Sequence, residues 1–273
     1  MKDPNHLVEA LSDLSLGGIR YFKRIGSTSD EAVRWAADGA GDFSLVVAAE
    51  QTSGRGRAGR TWYSYPGASL AMSVILLPPE DASHILPRMS ALGALAVRDA
   101  LMNWYQLPVQ IKWPNDILLQ QRKVSGILAE AFWNGNEMAA LILGIGVNIA
   151  ANAVSHVNHE LQNVFPATYL EAVLEQPVES VQLLRAILVE LKKWRSQIDS
   201  AEFMQAWEDS LAYRGEWVQV ISGQIAGGEE VSRYTEGRIL GLSPDGSLKL
   251  HTLTGEVTSV QFGDVRLRPL QLI

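Results

Sequence analysis

Apolar positions along the chain fall into two rhythms, and the change between them divides it. Val181, Leu184, Leu188, Leu191 and Trp194 recur every three or four residues, the spacing of one helix face. After Pro87, Met89, Leu92, Ala96 and Ala100 do the same. Thr28-x-x-Glu31 has the form of a capping box ahead of Ala32, Val33, Trp35 and Ala36, with Gly39 placed to end that helix. Residues 201–211 predict a further helix. The continuous apolar runs "SLVVAAE", ending at Glu50, and "SLAMSVILL", closed by Pro78 and Pro79, predict buried strands. "VQIKWPNDILL" predicts a strand broken at Pro114. A polar turn at residues 120–123, "VSGILAEAFW", a second turn at residues 134–136 and "AALILGIGVNI" follow. Apolar strands joined by short polar turns predict an antiparallel meander, and their apolar content predicts helices over one face.

From Glu216 the pieces shorten. β-rich segments alternate with Gly227-Gly228, Pro244-Asp245-Gly246, Thr254-Gly255 and Phe262-Gly263, which predicts a small β-barrel of about five strands. The expected organisation is a larger unit over residues 1–213 and a smaller one over residues 214–273.

Composition narrows the classes. Of 273 residues, 47% are hydrophobic and 19% charged, so the chain can bury a sizeable core without metal or disulfide staples. A net charge of −7 argues against a general nucleic-acid binder, which needs clustered basic residues to neutralise phosphates. The absence of cysteine removes thiol catalysis, thiolate metal sites and disulfides together. Residues 1–16 are polar and mixed, without the apolar centre of a signal peptide, and no apolar run approaches the ~18 residues of a membrane span. The expectation is a soluble, cytoplasmic protein with no membrane partner.

Against this acidic background "GRGRAGRTW" stands out. Glycine lets backbone approach a ligand closely, and arginine presents a rigid fork of donors to phosphate or carboxylate. Arg55, Arg57 and Arg60 beside Gly54, Gly56 and Gly59 read as an anion-binding loop; a basic surface loop, or an arginine-glycine tract touching RNA, fits the spacing as well. No Gly-Lys-Ser/Thr ending makes it a P-loop. Within "IKWPNDILLQQRKVSGILAE", Asp116 lies in a buried sheet, where an acid must be paired, hydrogen bonded or bound to metal. It suits Mg²⁺, which takes few protein ligands plus phosphate oxygens. Lys112 and Lys123 flank it, though a hairpin with solvated lysines is the plainer reading of Lys123 alone. The glycines of "GIGVN" suit close packing or a turn. His156-x-x-His159 beside Glu160 lacks a third metal ligand with suitable spacing, His84 and His251 read as ordinary histidines, and no nucleophile elbow is present.

Taken in order, the motifs resemble those of the biotin protein ligases. "GRGRAGRTW" is similar to that family's GRGRxGRxW loop, "KWPND" followed by "RKVSGIL" to its KWPND…RKxxGIL segment, and "GIGVNI" to its GIGxN strand. "STS" at residues 27–29 stands where the family usually has Ser-Thr-Asn. The resemblance runs from about Tyr21 to Arg268. It implies an α+β catalytic domain like that of class II aminoacyl-tRNA synthetases and lipoate ligases, with an antiparallel sheet, followed by a small C-terminal SH3-like β-barrel. With only about twenty residues before Tyr21, too few for a helix-turn-helix domain, the expectation is the short, monofunctional type that binds no DNA.

The implied activity is ATP-dependent activation of biotin to biotinyl-5′-AMP, then transfer of biotin to a lysine of the biotin carboxyl carrier protein of acetyl-CoA carboxylase. By the same resemblance Lys123, Arg57 and Asp116 carry the catalysis, with Asp116, helped by Asn148, holding Mg²⁺. Ser27, Thr28, Gln51, Gly54, Arg55, Arg57, Trp62, Lys123 and Gly126 would bind biotin. Arg55, Arg57, Asn115, Lys123, Asn148 and Arg268 would bind ATP. Three positions depart from the family pattern: Ser29 for asparagine, Ala58 where some relatives have arginine, and Gln219 where some have lysine. An edge strand of the meander can pair side by side in a homodimer, as in some relatives. Two other readings stand beside this one. A lipoate or octanoate ligase would share the catalytic fold but lacks "KWPND". A non-catalytic anion- or RNA-binding protein would use the arginine loop without needing a magnesium site.

Overall fold

The computed structural model describes residues 4–78, 86–155, 166–226, 229–261 and 265–270. In chain order the first seven strands are β1 (Ile19–Phe22), β2 (Ser44–Ala48), β3 (Ser69–Leu76), β4 (Val109–Lys112), β5 (Asp116–Leu119), β6 (Arg122–Asn134) and β7 (Glu137–Asn148). They form one sheet in the order β1-β2-β3-β7-β6-β5-β4. All neighbours are antiparallel except β1 and β2, which run parallel because helix α2 (Thr28–Ala37) crosses between them. The sheet is therefore mixed, where the sequence predicts an antiparallel one.

Alternation along the strands gives the two faces of this sheet different work. Leu45 and Val47, Leu70, Met72 and Val74, Ile127, and Leu141, Leu143, Ile145 and Val147 turn to one side. There they pack against α3 (Leu86–Tyr105) and a later helix, Ser180–Arg195. Across the sheet, Val46, Ile75, Ala140 and Ile142 pack on Ala32 of α2. Further along the same side the residues become small: Ser73, Gly126, Gly144 and Gly146. That end of the face is left open for the site.

The N-terminal helix α1 (Pro4–Ala10) and the turn after it bury Leu7, Leu11 and Leu14 in the main core. Arg185 fixes this segment from the Ser180–Arg195 helix, donating to the Ala10 carbonyl at 2.8 Å and to both Asp13 oxygens at 2.5 and 2.7 Å. The remaining helices are α4 (Glu171–Leu174), α5 (that same Ser180–Arg195) and α6 (Ala201–Asp209), the last burying Phe203 and Trp207.

A second sheet follows, wholly antiparallel. Its strands β8 (Trp217–Ala226), β9 (Glu229–Leu242), β10 (Leu248–Thr252), β11 (Val257–Val260) and β12 (Val265–Pro269) lie in the order β11-β10-β9-β8-β12. Val218, Val220, Ile239, Leu248, Leu250 and Leu267 belong to the same apolar cluster as the first sheet's core, so the two sheets share an interior. Architecture and class are α+β with a small C-terminal β unit.

Two local predictions change. "VQIKWPNDILL" is not one broken strand but two antiparallel strands, β4 and β5, with the turn at Trp113-Pro114-Asn115 and a cis Trp113–Pro114 bond. Proline cannot donate to a ladder, so the chain reverses at that point instead of continuing. Nor does the Thr28/Glu31 capping box form. Ser27 is the N-cap and makes no side-chain cap bond. Thr28 Oγ1 turns to Gln51, and Glu31 takes Arg20 and Arg34, each at 2.8 Å.

Candidate active site

One cavity of about 570 Å³ opens on the small-residue end of the first sheet. Its floor is a pair of facing glycines, Gly126 of β6 and Gly146 of β7. The indole of Trp62 lies on this floor. A Cβ on Gly146 would meet Trp62 Cε2 at 2.2 Å, and one on Gly126 would meet Trp62 Cζ3 at 3.2 Å. Glycine is thus required at 146 by contact and not by backbone angle. Trp62 Nε1 has no hydrogen-bond partner among the described residues.

The arginine and glycine segment is a self-paired hairpin arched over the floor. Trp62 N donates to the Gly54 carbonyl at 2.9 Å, Gly56 N to Arg60 at 2.7 Å, and Arg60 N to Arg57 at 3.2 Å. Ala58 and Gly59, with φ of 55° and 68°, make the turn, both in the left-handed region that tight hairpins require. A small residue at 58 fits that conformation at the tip.

The hairpin's arginines go separate ways. Arg57 donates to Asn115 Oδ1 at 3.0 Å, on the cavity side. Arg55 lines the cavity, but its guanidinium is committed to the Glu130 carboxylate in a two-pronged pair, 2.7 Å on each oxygen, and to Asp30 at 3.0 Å. The charge of Arg55 is therefore matched by two acids, while Arg57 and Arg60 line the cavity as well.

The β4–β5 turn supplies the opposite wall. Trp113 is buried and anchors it, donating Nε1 to the Gly246 carbonyl of the second sheet at 3.1 Å. Asn115 spends its amide on both sides: Oδ1 accepts from Arg57, and Nδ2 donates to the Ile127 carbonyl at 2.7 Å. Asp116 accepts from Lys123 Nζ at 2.6 Å, and that ammonium also lies 5.7 Å from the Trp62 ring centre. Burial pushes the Asp116 carboxyl up, but the charges of Lys123 and Lys112 outweigh it and hold the group below the usual carboxylate range. Burial pulls the Lys112 ammonium down to about 8; Asp116 opposes this, while Lys123, Arg60 and Arg268 add to it. Arg268 enters from β12, so the second sheet closes the cationic end. Gln219, its neighbour in register, turns away to Glu236 at 2.8 Å.

At the other end the side chains are neutral. Thr28 donates both its backbone N–H, at 2.8 Å, and its hydroxyl, at 3.0 Å, to Gln51 Oε1. Asn148 belongs instead to the Lys123 side: its Nδ2 donates to the Thr168 carbonyl at 3.0 Å, and Thr168 N donates to the Lys123 carbonyl at 2.9 Å.

Thr28, Gln51, Arg55, Arg57, Trp62, Asn115, Asp116, Lys123, Gly126, Asn148 and Arg268 all line this one cavity. Ser27 and Gly54 do not line it: Ser27 is the N-cap of α2, and a Cβ on Gly54 would sit 2.3 Å from the Trp62 carbonyl oxygen. Sequence reasoning missed Trp113 as an anchor and left Lys112 and Ser29 without roles, although Lys112 lies inside a motif it used; Arg60, read as part of an anion-binding loop, does line the cavity. Among the described residues no group of three His, Cys, Asp or Glu side chains forms a metal cluster. His84, His156, His159 and Glu160 lie outside the described residues, and His251 is exposed on β10. No described helix is long and apolar enough to cross a membrane.

Residues 21–148 match the Biotin/lipoate A/B protein ligase family. A biotin–[acetyl-CoA-carboxylase] ligase of Paracoccus denitrificans is 33% identical over 202 residues, 71% of this chain and 80% of that protein. A biotin protein ligase from Aquifex aeolicus, in complex with biotin and ATP, superposes with a TM-score of 0.74 at 27% identity, over 93% of this chain and 99% of the other. A Leishmania major biotin protein ligase in complex with biotinyl-5-AMP gives 0.60 at 26% identity, over 90% and 99%. The kinship extends through the second sheet as well as the glycine floor and its hairpin, and the chain belongs to the biotin protein ligase family.

Proposed function

We propose that the chain joins biotin to ATP as biotinyl-5′-AMP and then passes the biotinyl group to a lysine of a carrier protein. The observation that carries this reading is the cavity's division. A neutral end with a glycine floor and hydroxyl and amide walls runs without interruption into a cluster of cations around one buried acid. A ligand with an uncharged polar ring at one end and a carboxylate at the other fits that gradient, with the carboxylate meeting a phosphate among the cations.

In the first step a biotin carboxylate oxygen attacks the α-phosphorus of ATP. The bond to the bridging oxygen of the β-phosphate breaks, and pyrophosphate leaves. Two anions must be brought together, which calls for placed cations and donors and not for a nucleophilic side chain. Lys123 and Arg57 carry this role: both border the junction of the two ends, and Asn115 and Asp116 hold them in place. Lys112 and Arg268 face the phosphates that leave. Gln51 and Thr28 seat the ring, with Ser27 and Gly54 shaping the wall behind them. Gly126 and Trp62 bound the chain of the ligand, and Arg55 secures the hairpin through Glu130 and Asp30.

A single anionic carboxylate with Asn148 nearby fits Mg²⁺ brought in on the nucleotide better than a resident ion, since Mg²⁺ binds through one or two carboxylates plus phosphate oxygens. Asp116 and Asn148 would hold it, and it would neutralise phosphate charge. In the second step the carrier lysine amine attacks the biotinyl carbonyl, AMP leaves with the bridging oxygen, and the amine's proton passes to solvent water. Asp116 is held too acidic to be a strong base and serves better to orient the incoming amine.

The acceptor we propose is the biotin carboxyl carrier protein of acetyl-CoA carboxylase, in the cytoplasm. We assign residues 1–213 to the catalytic unit and residues 214–273 to the unit that closes the phosphate end through Arg268. The test is incubation of the full chain with biotin, ATP and Mg²⁺. Release of pyrophosphate dependent on biotin supports the reading, and none refutes it.

A further inference from the structure

Pro244-Asp245-Gly246, a turn signal in the sequence, joins β9 to β10 in the second sheet. The turn is braced from within. Ser243 N donates to the Ser247 carbonyl and Gly246 N to the Ser243 carbonyl, each at 2.8 Å. Asp245 accepts from Ser247 N at 3.0 Å and from Ser247 Oγ at 2.9 Å, closing the turn on itself. Gly246, at φ 84°, takes the left-handed conformation that favours glycine. Together these features fix the direction of the Gly246 carbonyl, which Trp113 Nε1 meets at 3.1 Å.

Other bonds hold the same stretch to the larger unit. Glu208 of α6 accepts from Leu242 N at 2.7 Å, and Arg88 of α3 donates to the Pro244 carbonyl at 3.4 Å. Trp113 differs from these two because it also lines the cavity. Its indole is 2% exposed and carries one N–H, which would be costly to bury without an acceptor. The second sheet supplies that acceptor. Two residues on, Asn115 accepts from Arg57 of the hairpin. The β4–β5 turn is thus bonded to the hairpin on one side and to the second sheet on the other.

The second sheet also delivers Arg268. Its strand β12 pairs with β8, β8 pairs with β9, and β9 leads into the braced turn. Because β12 is an edge strand of this sheet, the reach of Arg268 into the cavity follows from where the whole sheet is docked. Resting on the functional reading above, we propose that Trp113 is a positioning residue for nucleotide binding. Its bond to the Gly246 carbonyl docks the second sheet so that Arg268 reaches the phosphates of ATP, and Asp245 acts with it by holding that carbonyl in place. Thr28 and Gln51, at the neutral end, have no part in this docking.

The experiment is pyrophosphate release by the full chain, with ATP varied at saturating biotin, alongside calorimetric titration with biotin. Trp113→Phe keeps an aromatic ring and removes the donor. A neutral hydrogen bond contributes about three- to tenfold in affinity. The KM for ATP is expected to rise by that factor, with a smaller fall in kcat and unchanged biotin affinity. Asp245→Ala, an exposed position outside the cavity, should give the same pattern, and it carries the test should Trp113→Phe fold poorly. Arg268→Met should raise the KM for ATP by itself. Adding Trp113→Phe or Asp245→Ala to it should raise the KM no further, because the group they position is already gone. A wild-type KM in both single variants would overturn the proposal. So would either variant multiplying the KM of Arg268→Met as it does that of wild type, or biotin affinity falling in step with the KM. If Arg268→Met leaves the KM unchanged, Arg268 does not hold the phosphates and the proposal fails while biotin activation stands. If wild type shows no biotin-dependent pyrophosphate release, the functional reading falls and this proposal falls with it.

Discussion

Gly146→Ala isolates what the glycine floor does. A Cβ on Gly146 would lie 2.2, 2.5 and 2.6 Å from three atoms of the Trp62 indole. Carbon atoms pack at about 3.5 Å, so the ring must lift by roughly 1.3 Å or leave its seat. It has no room to yield sideways without moving the hairpin, because Trp62 N is bonded to the Gly54 carbonyl. Overpacking of this size costs about 1–3 kcal/mol. For a chain of this length that is a fall in melting temperature of about 2–10 °C. The effect on chemistry should be larger, since a shift of about 1 Å in a positioned group costs about a hundredfold in rate. Gly126→Ala is the control. Its Cβ would meet Lys123 Nζ and Cε at 3.1 and 3.2 Å, the far end of a flexible side chain, besides the ring edge at 3.2 Å. It should be milder in both measurements. The assay is biotin-dependent pyrophosphate release, with melting followed on the same samples. A Gly146→Ala protein with wild-type melting and wild-type rate would refute the packing argument, and so would Gly126→Ala proving the more damaging of the two.

Other predictions concern charge and anchoring. Lys112, pulled down to about 8, is partly neutral between pH 8 and 9. Bound phosphate favours its charged form, so ATP should be taken up with protons in that range and bind more weakly as pH rises; Lys112→Met should abolish the proton uptake, measured in buffers of different ionisation enthalpy. Asp116→Asn leaves Lys123 and Lys112 without their acid and should destabilise the fold at pH 7 by at most about 3–5 kcal/mol, less here because Lys123 is partly solvated. Because the Asp116 carboxyl is held below its ordinary 3.8, its contribution is present above that pH and is lost as pH falls through the lower folded value; the melting gap between variant and wild type should close on acidification. Asn115→Ala removes one acceptor of Arg57 and should lower the adenylation rate about tenfold or more without moving biotin affinity, as titration would show. Glu130→Gln weakens the hold on Arg55 and should make residues 54–60 more readily cleaved by trypsin, a difference that biotin and ATP reduce.

The parts of this molecule legible in the sequence are those where a residue type admits few uses. Long apolar periodicities gave α3 and α5, because no other structure buries every third or fourth position. The glycines of "GIGVN" read as close packing or a turn, and close packing is the outcome, with Gly146 under the Trp62 ring; their facing partner Gly126 was visible only in the strand register. Partner choice was less legible. Arg55 and Arg57 look alike in "GRGRAGRTW", yet one is matched by Glu130 and Asp30 and the other by Asn115, residues distant in sequence that only the fold brings near. Thr28 and Glu31 have the spacing of a cap, but Gln51 and Arg20 outbid it through tertiary contacts. Leu7, Leu11 and Leu14 lie in a segment too polar on average to read as core, yet they pack into the main core, and Arg185 and Lys192 bond the segment's backbone carbonyls. The hydrogen bonds that link Ser29, Ser73, Thr28 and Gln51 join three separate elements through residues common on any surface, and nothing in their local spacing signals them.

Everything proposed for this chain depends on one cavity bringing a biotin carboxylate to a nucleotide phosphate. The most direct measurement is mass spectrometry of the full chain after incubation with biotin, ATP and Mg²⁺, followed by addition of a biotin carboxyl carrier domain. The expected result is one biotinyl-AMP per chain before the addition, and a single biotinylated lysine on the carrier with equimolar AMP after it. Biotin and ATP both bound, with no adenylate formed and no carrier labelled, would contradict it.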